Sequence, residues 1–203
     1  RYATAGRWEP PRLVGPWTGV VDATTYPPSC MQIPNDEGTA DTSEDCLFVN
    51  VWLPADRRAP LRRTMVYIHG GGMFEGAIGA TFGGTFSLNG SRLAARLGVA
   101  VVTIQYRLGV FGAFTLTGES VRLNAYVLDQ QAALKFARRL LATQKLLLFG
   151  QSVGAASVCQ HLVLPSSRGL FDAAAMLSPC TCGAMPLHTR AELRPLALAA
   201  ATS

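Results

Sequence analysis

Gly150-Gln151-Ser152-Val153-Gly154 is the stretch around which the chain is organised. The apolar run Lys145-Leu146-Leu147-Leu148-Phe149 leads into it and predicts a buried parallel strand, while Ala155-Ala156-Ser157-Val158-Cys159 behind it predicts a helix. A serine on such a strand-to-helix turn is placed as a nucleophile. The strained backbone lifts its hydroxyl above the sheet, and a glycine on each side lets neighbouring chain pass without a Cβ clash. With 20 glycines in the chain, Gly-x-Ser-x-Gly by itself also fits a serine in an ordinary turn.

A second stretch separates these readings. Thr64-Met65-Val66-Tyr67-Ile68 predicts another strand, and it opens directly into His69-Gly70-Gly71-Gly72. Consecutive glycines let a backbone turn its N–H groups inward onto one oxygen, as stabilising a tetrahedral intermediate requires. Phosphate-binding readings of the same loop fail on spacing. No Gly-Lys-Ser/Thr follows, and a Gly-x-Gly-x-x-Gly frame begun at Gly70 and Gly72 meets Glu75 where its third glycine should stand.

The 203 residues suit one domain with a buried core, and 49% hydrophobic with 15% charged residues describes a globular chain. The net charge of +5 comes from scattered arginines, including the pairs Arg62-Arg63 and Arg138-Arg139. No basic block is interleaved with aromatics, so a solvated surface is expected and no nucleic-acid partner. No apolar run approaches the length of a membrane span. The chain begins Arg1-Tyr2-Ala3 without a methionine or a signal pattern, and we expect a start to have been lost or removed.

Of five cysteines, Cys30 and Cys46 enclose a polar, turn-rich segment of 15 residues. Bridged in an oxidising compartment, this loop gains roughly 3 kcal/mol; in a reducing one both stay thiols. Cys159 reads as a small buried residue on the helix behind Ser152, and Cys180 and Cys182 stand too close to pair with each other. No metal-ligand set appears, and no cofactor is expected.

Along the chain, residues 8–21 read as an extended lead-in, 47–53 as a strand ended by Pro54, and 55–63 as a basic hairpin or loop. Glycines 76, 79, 83 and 84 mark a long loop of the kind that lines substrate entrances. Residues 91–97 predict a short helix that Gly98 ends, and 99–106 the most β-branched strand. Strand, helix, strand in this order implies a parallel sheet. After a loop over 107–122, Asn124 can cap a helix whose apolar face runs through Val127, Leu128, Leu134, Phe136 and Leu140. Residues 171–177 predict a further strand and 184–203 a helical tail, while Asn89-Gly90-Ser91 is a glycosylation sequon.

Six motifs in this order resemble the type-B carboxylesterases, the cholinesterase-like branch of the α/β-hydrolases. They are Trp17-Thr18-Gly19-Val20 with Asp22-Ala23-Thr24, Ser43-Glu44-Asp45-Cys46-Leu47-Phe48-Val49-Asn50-Val51-Trp52, Tyr67-Ile68-His69-Gly70-Gly71-Gly72, Tyr106-Arg107-Leu108-Gly109-Val110-Phe111-Gly112, Leu128-Asp129-Gln130-Gln131-Ala132-Ala133-Leu134 and the serine turn. The resemblance implies an α/β-hydrolase fold, a mostly parallel sheet flanked by helices, with residues 1–203 as a partial domain truncated after the nucleophile elbow. It implies Ser152 as nucleophile, the N–H groups of Gly71, Gly72 and Val153 as oxyanion hole, a Cys30–Cys46 disulfide, and a secreted or lumenal protein acting on a small-molecule ester. Oligomeric state stays open.

The departures matter too. Family members are longer and place the catalytic acid and histidine after the region matched here. His161 lies nine residues past Ser152 on the same predicted helix, roughly 13 Å away at about 1.5 Å per residue. Nothing around His188 resembles a triad histidine, and His69 belongs to the glycine loop. Gln151 stands where the family usually has glutamate, Val153 where it has a small residue, and Ala142-Thr143-Gln144 replaces a Gly-Gly-Asp-Pro turn. The Cys30–Cys46 loop holds no aromatic residue, so choline esters are not expected substrates. Two functions follow as expectations: an ester hydrolase whose acid and histidine lie outside this chain, inactive as these residues alone, or a non-catalytic binding module or decayed pseudoenzyme of the same fold. A sheet cut after residues 171–177 should also expose an apolar edge and make the chain poorly soluble.

Overall fold

The computed structural model describes residues 1–32, 41–56, 60–79, 81–82, 86–113, 124–179 and 182. The amino-terminal elements are β1 (Ala3–Thr4), β2 (Arg12–Leu13), β3 (Ser29–Cys30), β4 (Thr42–Ser43), β5 (Val49–Trp52), β6 (Arg63–Ile68), β7 (Thr81–Phe82) and β8 (Phe86–Ser87). Then come α1 (Ser91–Leu97), β9 (Ala100–Ile104), α2 (Gly109–Gly112), α3 (Ala125–Leu141), β10 (Lys145–Gln151), α4 (Val153–Val163), a 3₁₀ turn at Pro165–Ser167 and β11 (Ala173–Leu177). The expected tail helix, His188, Cys180 and glycines 83 and 84 lie outside the described residues.

Five strands form one sheet in the order β11-β10-β6-β9-β5, parallel except for the antiparallel pairing of β5 with β9. Leu148 of β10 stands beside Val66 of β6, and Val66 beside Val102 of β9. This register aligns the apolar alternation of three strands. Val66, Ile68, Leu146 and Leu148 are buried on one face with Ala132, Ala133 and Phe136 of α3 and Val158 of α4. On the other face α1 covers only one end, where Ala94, Val99 and Val101 pack with Trp52 and Met65. Tyr67 and Phe149 stay half-buried there, their rings 5.0 Å apart. At the β11 edge Met176 and Leu177 are exposed.

Several local features differ from the sequence reading. The lead-in is not simply extended: β2 folds back on β1, because the Tyr2 hydroxyl donates to Gln105 O at 2.8 Å and Val14 N–H to Tyr2 O at 3.1 Å. Asn124 precedes α3 in the left-handed region at φ 60° and makes no side-chain cap hydrogen bond. The helix behind Ser152 runs to Val163 and carries His161, as expected. Cys159, expected as a small buried residue, is half-buried and bonded to Cys182, which ties the chain beyond β11 to the back of α4. Cys30 and Cys46 are bonded to each other.

The face of α3 is also less apolar than its spacing predicts, for Asp129, Gln130 and Gln131 are all buried. Each has a non-local partner. Asp129 accepts from the Arg107 guanidinium at 2.8 and 2.7 Å and from Arg107 N–H at 3.1 Å, with the two side chains 0% and 5% exposed. Gln130 meets His161 Nε2 through its Oε1 at 3.0 Å and donates to the Ser157 hydroxyl at 3.3 Å. His161 Nδ1 and Gln131 both reach Ser167 Oγ, at 2.8 and 2.9 Å. These bonds lock α3, α4 and the turn after α4 together.

Two predictions follow from these buried groups. Replacing Asp129 with Leu strands the Arg107 charge and should cost about 3–5 kcal/mol in denaturant unfolding, most of it regained in the Arg107→Met/Asp129→Leu double variant; equal instability of single and double variants would contradict this. Burial pushes the pKa of His161 down to about 4. Burial does the same to His69, to about 4, against the opposing pull of its hydrogen bond to the Gly70 carbonyl. Both are therefore neutral when folded and protonate on unfolding below their ordinary value. Their contribution is full above pH 6.5 and lost as pH falls toward 4, up to about 3 kcal/mol each. Unfolding free energy should drop across that window, and His161→Gln should flatten the slope; an unchanged slope would refute the assignment.

Candidate active site

The site is built where β10 stops and α4 begins. Ser152 sits between them with φ 55° and ψ −125°, a strained backbone for any residue with a Cβ. The strain is held from both sides. Ser152 N–H donates to Leu177 O of β11 at 3.0 Å, and Ser152 O accepts Ala156 N–H at 3.1 Å as the helix starts. Close approach explains the glycines. A Cβ on Gly154 would fall on Ile68 O and within 2.6 Å of His69 O, and one on Gly150 would stand 2.5 Å from Gly154 C. The first turn of α4 thus lies directly on the end of β6. Val153, its first residue, is buried, and a backbone N–H in that position has no partner within the helix.

The glycine loop at the end of β6 faces the same turn. A Cβ on Gly70 would come 3.1 Å from Ser152 Cβ and 2.8 Å from Gln151 Oε1, so the loop lies against the serine. Gly71 has φ +108°, which L side chains rarely adopt, and a Cβ there would meet Glu75 C at 2.7 Å. Its carbonyl accepts from both Phe74 and Glu75 N–H at 3.0 Å, closing a tight turn in which Gly72 and Met73 also have positive φ. Met73 O accepts Gly109 N–H at 2.7 Å. Gln32, two residues past Cys30, forms a two-way bond with Gly76, donating to its carbonyl and accepting its N–H at 2.9 Å each.

The structure thus lays Gly70, the first glycine of the loop that continues through Gly71 and Gly72, against Ser152, and commits the side chains of the described histidines elsewhere. His69 is buried with Nδ1 2.8 Å from Gly70 O, its ring stacked on Tyr106 at 4.4 Å, and its carbonyl accepts the Tyr106 hydroxyl at 2.7 Å. That hydroxyl titrates far above its ordinary range, chiefly because it is buried. His161 is committed to Ser167 and Gln130. Both histidines serve the scaffold. Sequence reasoning missed Gln32, Tyr106 and Glu75 as supports of the glycine loop. Only Tyr106 stood in a quoted motif, and nothing local marks the other two. Among the described residues no group of three or more His, Cys, Asp or Glu could hold a metal ion, and no helix is long and apolar enough to cross a membrane.

The Carboxylesterase family pattern matches residues 1–202. Pyrethroid hydrolase Ces2e of Rattus norvegicus is 38% identical over 192 residues, covering 85% of this chain and 32% of the relative. Acylcarnitine hydrolase of Mus musculus is 37% identical, covering 85% and 33%, and the cocaine esterase of Oryctolagus cuniculus is 37% identical, covering 85% and 34%. The chain spans about a third of the length of these curated relatives. By the match over residues 1–202, and in keeping with the mostly parallel sheet flanked by helices, this chain belongs to the carboxylesterase family, whose fold is the α/β-hydrolase fold.

Proposed function

We propose that the protein hydrolyses small carboxylic esters with Ser152 as nucleophile. The observation that carries this reading is the strained serine on the strand-to-helix turn with the Gly70–Gly72 loop against it. The hydroxyl attacks the ester carbonyl, and the N–H groups of Gly71, Gly72 and Val153 hold the oxygen as it gains charge. Gly71 and Gly72 supply donors from a turn closed by the Phe74 and Glu75 N–H groups, and Val153 supplies one from the start of α4, whose dipole favours negative charge. As the tetrahedral intermediate collapses, the carbonyl carbon's bond to the alcohol oxygen breaks and the alcohol leaves with the serine's proton; water then attacks the acyl group on Ser152, releasing the carboxylic acid and restoring the hydroxyl. The proton needs a general base. Neither described histidine is placed for it, so the base and its acid partner are assigned to residues outside the described ones.

Relatives are named for hydrolysing pyrethroids and acylcarnitines and for cleaving cocaine, which supports carboxylic esters as the substrate class. Disulfides at Cys30–Cys46 and Cys159–Cys182 support a secreted or endoplasmic-reticulum setting. A non-catalytic binding module would place no demand on the Ser152 backbone, and the strain there favours the hydrolase.

In the full-length protein, Ser152→Ala should lower kcat for a simple aryl ester by on the order of 10⁶, with KM little changed. The 203 residues alone should hydrolyse no faster than their own Ser152→Ala variant. Full-length activity that survives the substitution would overturn the nucleophile assignment; serine-dependent activity of the 203 residues alone would overturn the expectation that they are inactive by themselves.

A further inference from the structure

We infer that Asn89 is an N-glycosylation acceptor. This rests on the lumenal setting proposed above and not on the serine chemistry. The chain has asparagines at 35, 50, 89 and 124, and only Asn89-Gly90-Ser91 has a hydroxyl residue two places on with no proline between. The fold leaves this triplet accessible. Asn89 and Ser91 are both exposed at the entrance to α1. Between them Gly90 is buried, and a Cβ on it would stand 2.7 Å from Val101 Cγ1 and 2.8 Å from Trp52 Cε3. The middle residue is therefore pinned to the protein while its neighbours point outward. Asn89 Oδ1 accepts Ser91 N–H at 2.9 Å, a local turn that brings the asparagine amide to the residue carrying the hydroxyl.

The transfer is chemically complete with one co-reactant, a lipid diphosphate-linked oligosaccharide of the secretory lumen. Asn89 Nδ2 forms a bond to the sugar C1, the C1–O bond to phosphate breaks, the lipid diphosphate leaves with the electron pair, and the amide nitrogen loses a proton. A glycan here also avoids the serine turn. Val101, against which Gly90 packs, is in register with Met65 of β6, and Met65 with Leu147 of β10. Leu147 lies four residues before Gln151, roughly 13 Å down the strand at 3.3 Å per residue. The α1 side is also the face opposite α3 and α4. A carbohydrate at Asn89 therefore sits at the α1 end of the sheet, away from Ser152.

The test is to express the full-length protein behind a cleavable secretion leader in a eukaryotic cell, which separates acceptor competence from native targeting. Lumenal or secreted protein is then digested with peptide-N-glycosidase in heavy-oxygen water. We expect a mobility shift of one glycan within these residues and an isotopically marked aspartate at position 89. Asn89→Gln and Ser91→Ala should both abolish the mark and Ser91→Thr should keep it, with ester hydrolysis unchanged in all three. Unmodified Asn89 in lumenal protein whose Cys30–Cys46 bond has formed would overturn the inference, as would a mark that survives Ser91→Ala. Loss of hydrolysis with the glycan present would count against the esterase reading alone.

Discussion

Backbone packed on backbone at Gly154 is the constraint on which the site depends. The carbonyls of Ile68 and His69 occupy the space where any side chain at 154 would begin. Because α4 can sit this close to β6, the serine turn and the glycine loop share one corner of the sheet. Ser152 takes up its unfavourable φ and ψ inside that corner, where Leu177 O on one side and the first helical hydrogen bond on the other hold it. Such strain costs on the order of 1–3 kcal/mol, so it persists only where the surrounding structure over-determines it.

That surround is made of polar groups as much as apolar ones. Tyr106 pins His69 through its carbonyl, Gln32 pins Gly76, and Gly109 pins Met73, so the glycine loop is tied at three points to two parts of the chain, the segment after Cys30 and the segment after β9. The Cys30–Cys46 bond fixes the segment that carries Gln32. Behind α4, His161, Gln130, Ser157 and Ser167 satisfy one another, and Arg107 with Asp129 anchors the chain leaving β9 to α3. Every one of these partners becomes costly when left alone in the interior, so the network holds the elbow helix in one position rather than several. Carboxylesterase chemistry needs that rigidity, since an oxyanion hole works through donors placed before the charge arrives.

Much of this was legible in the sequence because the demands are local. The serine turn and the glycine loop each follow an apolar strand directly, and the backbone geometry they need admits few residues besides glycine. The parallel order of β6, β9 and β10 followed from apolar runs separated by helical stretches. What could not be read was non-local. Helical spacing did not announce that Asp129 and Gln130 are buried, nor which partners Gln131 meets; Arg107, His161 and Ser167, distant in sequence, supply those partners. The Cys159–Cys182 bond joins a helix to a segment beyond the next strand, and no spacing announces it. Asn124 has the residue type of a cap but adopts the left-handed region, a choice made by the tertiary path of the chain. Gln32 and Glu75 carry no motif at all.

The central claim is that this corner activates one particular serine. The most direct measurement is to treat the full-length protein with a fluorophosphonate, digest it and locate the adduct by mass spectrometry. A single phosphonyl group on Ser152, absent when the protein is unfolded before treatment, is the predicted result. An unlabelled Ser152 in protein shown to be folded, or label spread over other serines, would contradict the account.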